Sequence, residues 1–413
     1  MKLQLFLLLS ALCSSTLVLA ETGHGHEEAL SSKASMTLHD VVEITYQRNP
    51  QLGVIQARLE HVDALSKRAR SLWATDPTLS VNHYNDQLMD SNGLREWEVG
   101  IEMPLWLPGQ KAAQMKTAEQ QRLLVSASEP ALKLRIASIV RELVWNIALA
   151  KNRMLLFERE HKEVKRLAED VRKRVVLGDL AESDLLLAQQ ESLSKEAAWN
   201  TANQEFAHAQ HRYTVITDLN FLPQVYEETV VGDLSISFDH PALQELNEKV
   251  SHSAARRDQV KLEKGGNPSL FLGTRHEQAM SNNGFTNAIG LSFKMPLGLA
   301  AHTRPKVTAA EVNLAENRSQ QEVLYRQLNM TIQDASLELS ATQDQYEFAR
   351  RQNELAKTNL ARSRKAFSLG ETSLIELIRI QAQAFAVESN MHQKQLEVGL
   401  HTARLNQAKG IIP

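Results

Sequence analysis

The chain has 413 residues, 43% of them hydrophobic, 23% charged and 5% aromatic, with a net charge of −3. The length holds more core than one average domain needs. The slightly acidic balance excludes a broad basic surface for nucleic acid, and the single cysteine, Cys13, excludes a disulfide framework.

Residues 1–20 predict a secretory signal peptide: Lys2, a short apolar run, then Val18-Leu19-Ala20 before Glu21. Cleavage after Ala20 leaves a mature chain without cysteine and with a net charge of −4, since Lys2 is lost. The bulky Leu12 fits a lipidation site at Cys13 poorly. Residues 21–36 are polar and aperiodic and predict a flexible lead-in. His24 and His26 within it lack an ordered third ligand and predict no metal site. No later segment is apolar for long enough to form a membrane-spanning helix. Entry into a membrane would therefore require β-strands.

Residues 37–217 predict a first repeat. Thr37 caps a helix that Asn49-Pro50 interrupts, and Leu52, Ile55, Leu59, Val62 and Leu65 continue an apolar stripe. Asp76-Pro77 stops it. The period then changes to two, with strands expected over about 77–88 and 94–104. Trp97, Val99, Ile101 and Met103 share one face; Glu96, Glu98, Gly100 and Glu102 share the other. Pro104 and Pro108-Gly109 end the second strand. A long helix is expected from about Lys111 to Leu177, with Ile136, Ile139, Val140, Leu143, Val144 and Ile147 as its apolar stripe. A turn near Gly178 starts a second helix reaching about Ile216. Arms of this length are rods and do not fit a compact globule.

Residues 218–240 break the helical pattern, with a short strand expected within Val230–Phe238. Residues 241–409 then repeat the first half, and 410–413 form a tail. His240-Pro241 matches Asn49-Pro50, and Asn267-Pro268-Ser269-Leu270 matches Asp76-Pro77-Thr78-Leu79. Asn283-Gly284 matches Asn92-Gly93, and Met295-Pro296-Leu297 matches Met103-Pro104-Leu105. Leu369-Gly370 matches Leu177-Gly178. The offset stays at 191 or 192 residues throughout. Strands are expected over about 268–276 and 287–296, with Ile289, Leu291 and Phe293 on the apolar face, and a second tip near 370. The fold class is mainly α with a β-barrel portion. Four strands cannot close a barrel around a channel, so several chains must share one, and three would supply twelve strands.

No G-x-S-x-G, H-E-x-x-H or phosphate-binding glycine loop occurs, and His208 and His211 read as a solvated helix face. The sequence predicts no enzyme activity, no cofactor and no metal site.

This duplicated array, with strand pairs ending in Met-Pro-Leu and tips at Leu177-Gly178…Asp184-Leu185 and Leu369-Gly370…Glu376-Leu377, resembles the TolC-like outer-membrane efflux factors. The run Pro104–Gly109 and the polar lead-in look most like the cobalt–zinc–cadmium resistance (CzcC-type) branch, which serves heavy-metal pumps. The resemblance implies a homotrimer in the outer membrane of a Gram-negative bacterium, with a twelve-stranded barrel and a periplasmic α-helical tunnel. Residues 218–240 would be its equatorial segment. It implies an exit duct working with a periplasmic adaptor and an inner-membrane pump of the RND type. The alternatives are a duct for drugs or other small organic molecules, and a secreted structural coiled-coil protein.

On this reading Trp97, Val99, Ile101, Ile289, Leu291 and Phe293 face lipid, while Glu98, Glu102, Ser292 and Lys294 face water. Leu177, Gly178, Asp179, Leu180, Leu369, Gly370 and Glu371 form adaptor-docking tips. In well-known members a Tyr, an Arg and two Asp close the tunnel at the second tip. The matching positions here are Phe367, Thr372, Glu376 and Arg379, of which only Glu376 keeps acidic character. Phe367 has no phenolic hydroxyl. The family's gate is therefore not carried over intact. Asp184 and Glu376 are expected as carboxylates at the tunnel mouth.

Overall fold

A computed structural model of the chain describes residues 30–88, 93–263, 265–278, 284 and 286–413. The expected signal peptide and most of the lead-in lie outside the described residues, as do Asn92 and Asn283.

Each half of the chain follows one plan. In the first, α1 (Leu38–Gln47) and α2 (Gln51–Arg70) precede β2 (Thr78–Asn85), β3 (Arg95–Pro104), α3 (Gln110–Val176) and α4 (Glu182–Thr217). In the second, α5 (Pro241–Leu262) precedes β5 (Ser269–Gln278), β6 (Thr286–Lys294), α6 (Ala300–Ser368) and α7 (Leu374–Ala408). Thr37 and Asp40 close a capping box at α1. Pro50 and Pro241 begin α2 and α5, where a missing N–H costs nothing. α3 has 67 residues and α6 has 69, about 100 Å each at 1.5 Å per residue. α3 remains helical through Pro130.

The four long strands form one antiparallel sheet in the order β2-β3-β5-β6. The two duplicated strand pairs join at β3 and β5, from Arg95 opposite Gln278 to Pro104 opposite Ser269. β2 and β6 are its open edges within the chain.

Two expectations are corrected. The lead-in is not unstructured to residue 36, because Ser31–Thr37 form β1, paired in parallel with β4 (Phe221–Val225). The strand expected within Val230–Phe238 is absent, and β4 takes its place, beginning four residues after α4 ends at Thr217. β4 contains Pro223, and a two-stranded sheet has only edge strands, where a missing N–H is tolerated.

The main core lies between α1, α2, α3 and the end of α4. It contains Val41, Tyr46, Val62, Val140, Val144 and Tyr213. The expected α3 stripe is buried except for Ile139, which is 47% exposed. Further along, the Trp145 ring on α3 lies against Gly399 of α7, where a Cβ would stand 2.0 Å from Cη2. Only a residue without a side chain lets the two helices meet there.

Candidate functional site

The sheet has two chemically different faces. On one, matched positions of adjacent strands carry Leu79, Ile101, Leu272 and Leu291 in one row, and Val81, Val99, Thr274 and Ile289 in the next. Met103, Leu270 and Phe293 make a third row, and Trp97 stacks on His83 at 4.1 Å beyond the second. All six residues expected on the apolar face, Trp97, Val99, Ile101, Ile289, Leu291 and Phe293, are on it and exposed. The strands alternate, so the charged residues fall on the opposite face. There Arg275 grips Glu96 through two nitrogens, at 2.5 and 2.7 Å, and lies 3.7 Å from Glu277. Glu102 accepts from Ser269 at 2.5 Å and pairs with Lys294 at 3.6 Å.

Midway along the helices the segment between the repeats is tied to both halves. Arg141 of α3 donates from Nε and Nη2 to the two oxygens of Glu228, at 2.8 and 2.6 Å. Its Nη1 donates to Gln407 Oε1 at 2.5 Å and to the Ile411 carbonyl at 3.0 Å. Asn406, almost fully buried, donates to the Thr229 carbonyl and accepts from the Val231 N–H. Lys409 Nζ donates to the carbonyls of Val231 and Gly232. Burial holds the His240 imidazole below its usual pKa, so it sits neutral and accepts from the Ala242 N–H at 3.2 Å.

The two tips are built alike. Gly178 and Gly370 take φ of 81° and 75°, in the left-handed region that glycine enters without strain. At the first tip the Gly178 N–H donates to Val175 and Asp179 to Arg174; at the second, Gly370 donates to Phe367 and Glu371 to Ala366. Each is a Schellman cap that satisfies the last carbonyls of a long helix. The preceding Leu177 and Leu369 are 75% and 63% exposed. They do not pack back on their own hairpins, although a hydrophobic contact often accompanies this cap. A Cβ on either glycine would meet nothing within 4 Å.

Behind the tips, Ala168, Val171, Ala188, Phe367, Leu374 and Leu377 form a small core shared by both hairpins. Phe367 was expected at the tunnel mouth. It is instead 7% exposed within this core, with the Arg174 guanidinium 5.1 Å above its ring. Its apolar ring is more stable covered by the neighbouring hairpin than in water. Glu376 and Arg379 were both candidates for the tunnel mouth. They form a two-nitrogen ion pair on one face of α7, at 2.9 and 2.5 Å, which holds the Glu376 carboxyl below its usual range. Asp184 lies in the first turn of α4, and Thr372 lies between the Gly370 cap and Ser373, which caps α7. Among the described residues, no group of three or more metal-binding side chains comes together. No helix among them is long and apolar enough to cross a membrane.

Sequence reasoning placed the tips and the sheet face but missed Arg141 and Glu228. The available signal was a lone arginine inside the α3 stripe, directly after Val140.

No protein-family model matches the chain, and no curated protein matches its sequence. Solved structures do match. The structure of CusC, described in terms of folding and transmembrane channel formation, aligns at a TM-score of 0.74, covering 91% of this chain and 92% of that one, with 16% identity. The outer membrane protein VceC of Vibrio cholerae aligns at 0.73 with 13% identity, covering 90% and 96%. The CmeC outer membrane channel of Campylobacter jejuni aligns at 0.72 with 15% identity, covering 92% and 89%. The chain has the fold of an outer-membrane channel protomer. That is the fold which its resemblance to the TolC-like factors implied.

Proposed function

We propose that this chain is the outer-membrane duct of a three-part export system, a passive exit path rather than an enzyme. One observation carries the reading. A single protomer joins an open sheet with an apolar exposed face to two exposed helical tips, through helices of 67 and 69 residues. Three protomers supply twelve strands, and closure removes the open edges of β2 and β6 that lipid would not tolerate. From Met103 to Trp97 the apolar rows run about 20 Å at 3.4 Å per residue, close to the roughly 25 Å apolar band of outer-membrane barrels. The helices continue into the periplasm, where the tips meet the adaptor of an inner-membrane RND-type pump. The pump supplies the energy. A secreted coiled-coil protein would account for the helices but not for the apolar face of the sheet.

Detergent extraction tests this reading. The native protein requires detergent for release and runs as a heat-modifiable trimer; release by osmotic shock would reject it. Val99→Arg places a charge on the lipid face and is expected to cost about 2–4 kcal/mol per chain near mid-membrane. Glu98→Arg, on the charged face, should cost far less. Equal defects of the two in an outer-membrane assembly assay would reverse or abolish the assigned faces.

For cargo we propose heavy-metal cations, on the strength of the Pro104–Gly109 run. Deleting the gene should sensitise cells to heavy metals more than to dyes and detergents. A phenotype with dyes alone would move the assignment to small organic molecules.

A further inference from the structure

Phe271 is a large apolar side chain that breaks the pattern of the sheet. Its neighbours Leu270 and Leu272 lie on the apolar face, so Phe271 points to the charged face, in register with Glu102 and Ser292. Its ring does not stand away from the wall. It lies down over Gly100 and Gly273, which face each other across β3 and β5. A Cβ on Gly100 would stand 2.3 Å from Phe271 Cζ, and one on Gly273 would stand 2.8 Å from the same atom. Both glycines are buried in a sheet whose other residues are mostly exposed, because the ring covers them. Gly290 continues the row on β6. None of these three glycines has a positive φ, so backbone conformation does not call for them. The space they leave does.

We infer that the Gly100–Gly273 seat parks the Phe271 ring flat against the channel wall and thereby sets the clearance of the barrel near its helical end. The inference rests on the duct reading, in which the charged face lines the passage. Each protomer contributes one ring, so a trimer carries three at one level. A side chain at position 100 removes the seat. The ring then turns to another staggered χ1 well and projects into the passage.

Access from outside the cell reports this clearance without depending on the state of the helical tips. Ser292 lies beside Phe271 Cα, whereas the ring leans over the Gly100 and Gly273 level, toward the strand ends away from the helices. A reagent entering from outside passes the rings before it reaches position 292. Ser292→Cys is introduced and treated in cells with maleimides of graded size. With the seat intact, small and large reagents both react. Adding Gly100→Ala should abolish reaction with the large reagents and spare the small ones. Adding Phe271→Ala should speed the large ones, and the Gly100→Ala, Phe271→Ala pair should restore them. Gly100→Ala also brings a Cβ to 2.9 Å from Gly273 Cα; if that variant fails to insert, Phe271→Ala decides alone. Large-reagent rates unchanged by Phe271→Ala would overturn the inference and leave the duct reading standing. No reaction of Ser292→Cys even with the smallest reagent would reject the through-going barrel itself.

Discussion

Arg141→Ala is expected to destabilise the protomer by about 3–5 kcal/mol, because it strands a buried carboxylate. The Arg141 side chain is 3% exposed and that of Glu228 is 12% exposed. Removing the guanidinium deletes two charge-assisted hydrogen bonds to Glu228, and it also frees Gln407 Oε1 and the Ile411 carbonyl. All four acceptors lose a donor in one substitution, and buried unpaired acceptors each cost about 1–3 kcal/mol. The loss would be read as a lower urea midpoint of the detergent-solubilised protein. The companion experiment replaces both partners, Arg141→Met with Glu228→Leu. Apolar residues of similar volume need no partner, so the double variant should recover most of the loss. If Arg141→Ala changes stability by less than about 0.5 kcal/mol, as a surface substitution does, the pair is not the tie it appears from its geometry.

That tie explains how two repeats become one rod. α3 belongs to the first half and α7 to the second, and residues 218–240 join them. Arg141, Asn406 and Lys409 fasten that segment to both halves, mostly through its backbone carbonyls and amides. Arg404 adds a pair to Glu142 across the same two helices, at 2.7 Å. Backbone groups have no residue identity, which is why this belt leaves so little trace in sequence. Arg141 shows in sequence only as a charge within an apolar stripe. Its partners lie 87 to 270 residues away, and periodicity carries no information at that range.

The elements that were legible are those set by local rules. Alternation along Glu96–Met103 assigns each side chain a face whatever the strand pairs with. The glycines at 178 and 370 each follow a long helical run, and a left-handed cap is the usual way to end one. Phe271 is instructive in the other direction. Read alone, Leu270-Phe271-Leu272 is a short continuous apolar run that does not alternate, and it does not say that Phe271 is the residue facing the charged side. Its register with Glu102 does. Strand β1 was illegible for a similar reason. Ser31–Thr37 is polar and is extended because β4 offers it a ladder.

Gly178→Trp combined with Gly370→Trp should leave the trimer assembled and inserted yet abolish export. Each glycine holds a left-handed φ, so a larger residue is strained by about 1–2 kcal/mol. That cost falls at the end of a helix, far from the Arg141 belt and the sheet, and the new side chain meets no neighbour. What changes is the outer surface. Leu177 and Leu369 are exposed beside the two turns, and on the proposed duct reading they are the apolar contacts on which an adaptor docks. An indole at each turn would hold an adaptor hairpin off those leucines. Phe367 and Arg174 brace both hairpins from behind, so the rim keeps its shape while its face is blocked. Cysteines at 178 and 370 separate blocked docking from a damaged channel. In cells they should cross-link to the periplasmic adaptor, in a chain whose one native cysteine lies in the predicted signal peptide. Adaptor cross-links formed only from cysteines at 92 and 283, which fall in sequence between β2 and β3 and between β5 and β6, would place the partner away from the tips and end the proposal.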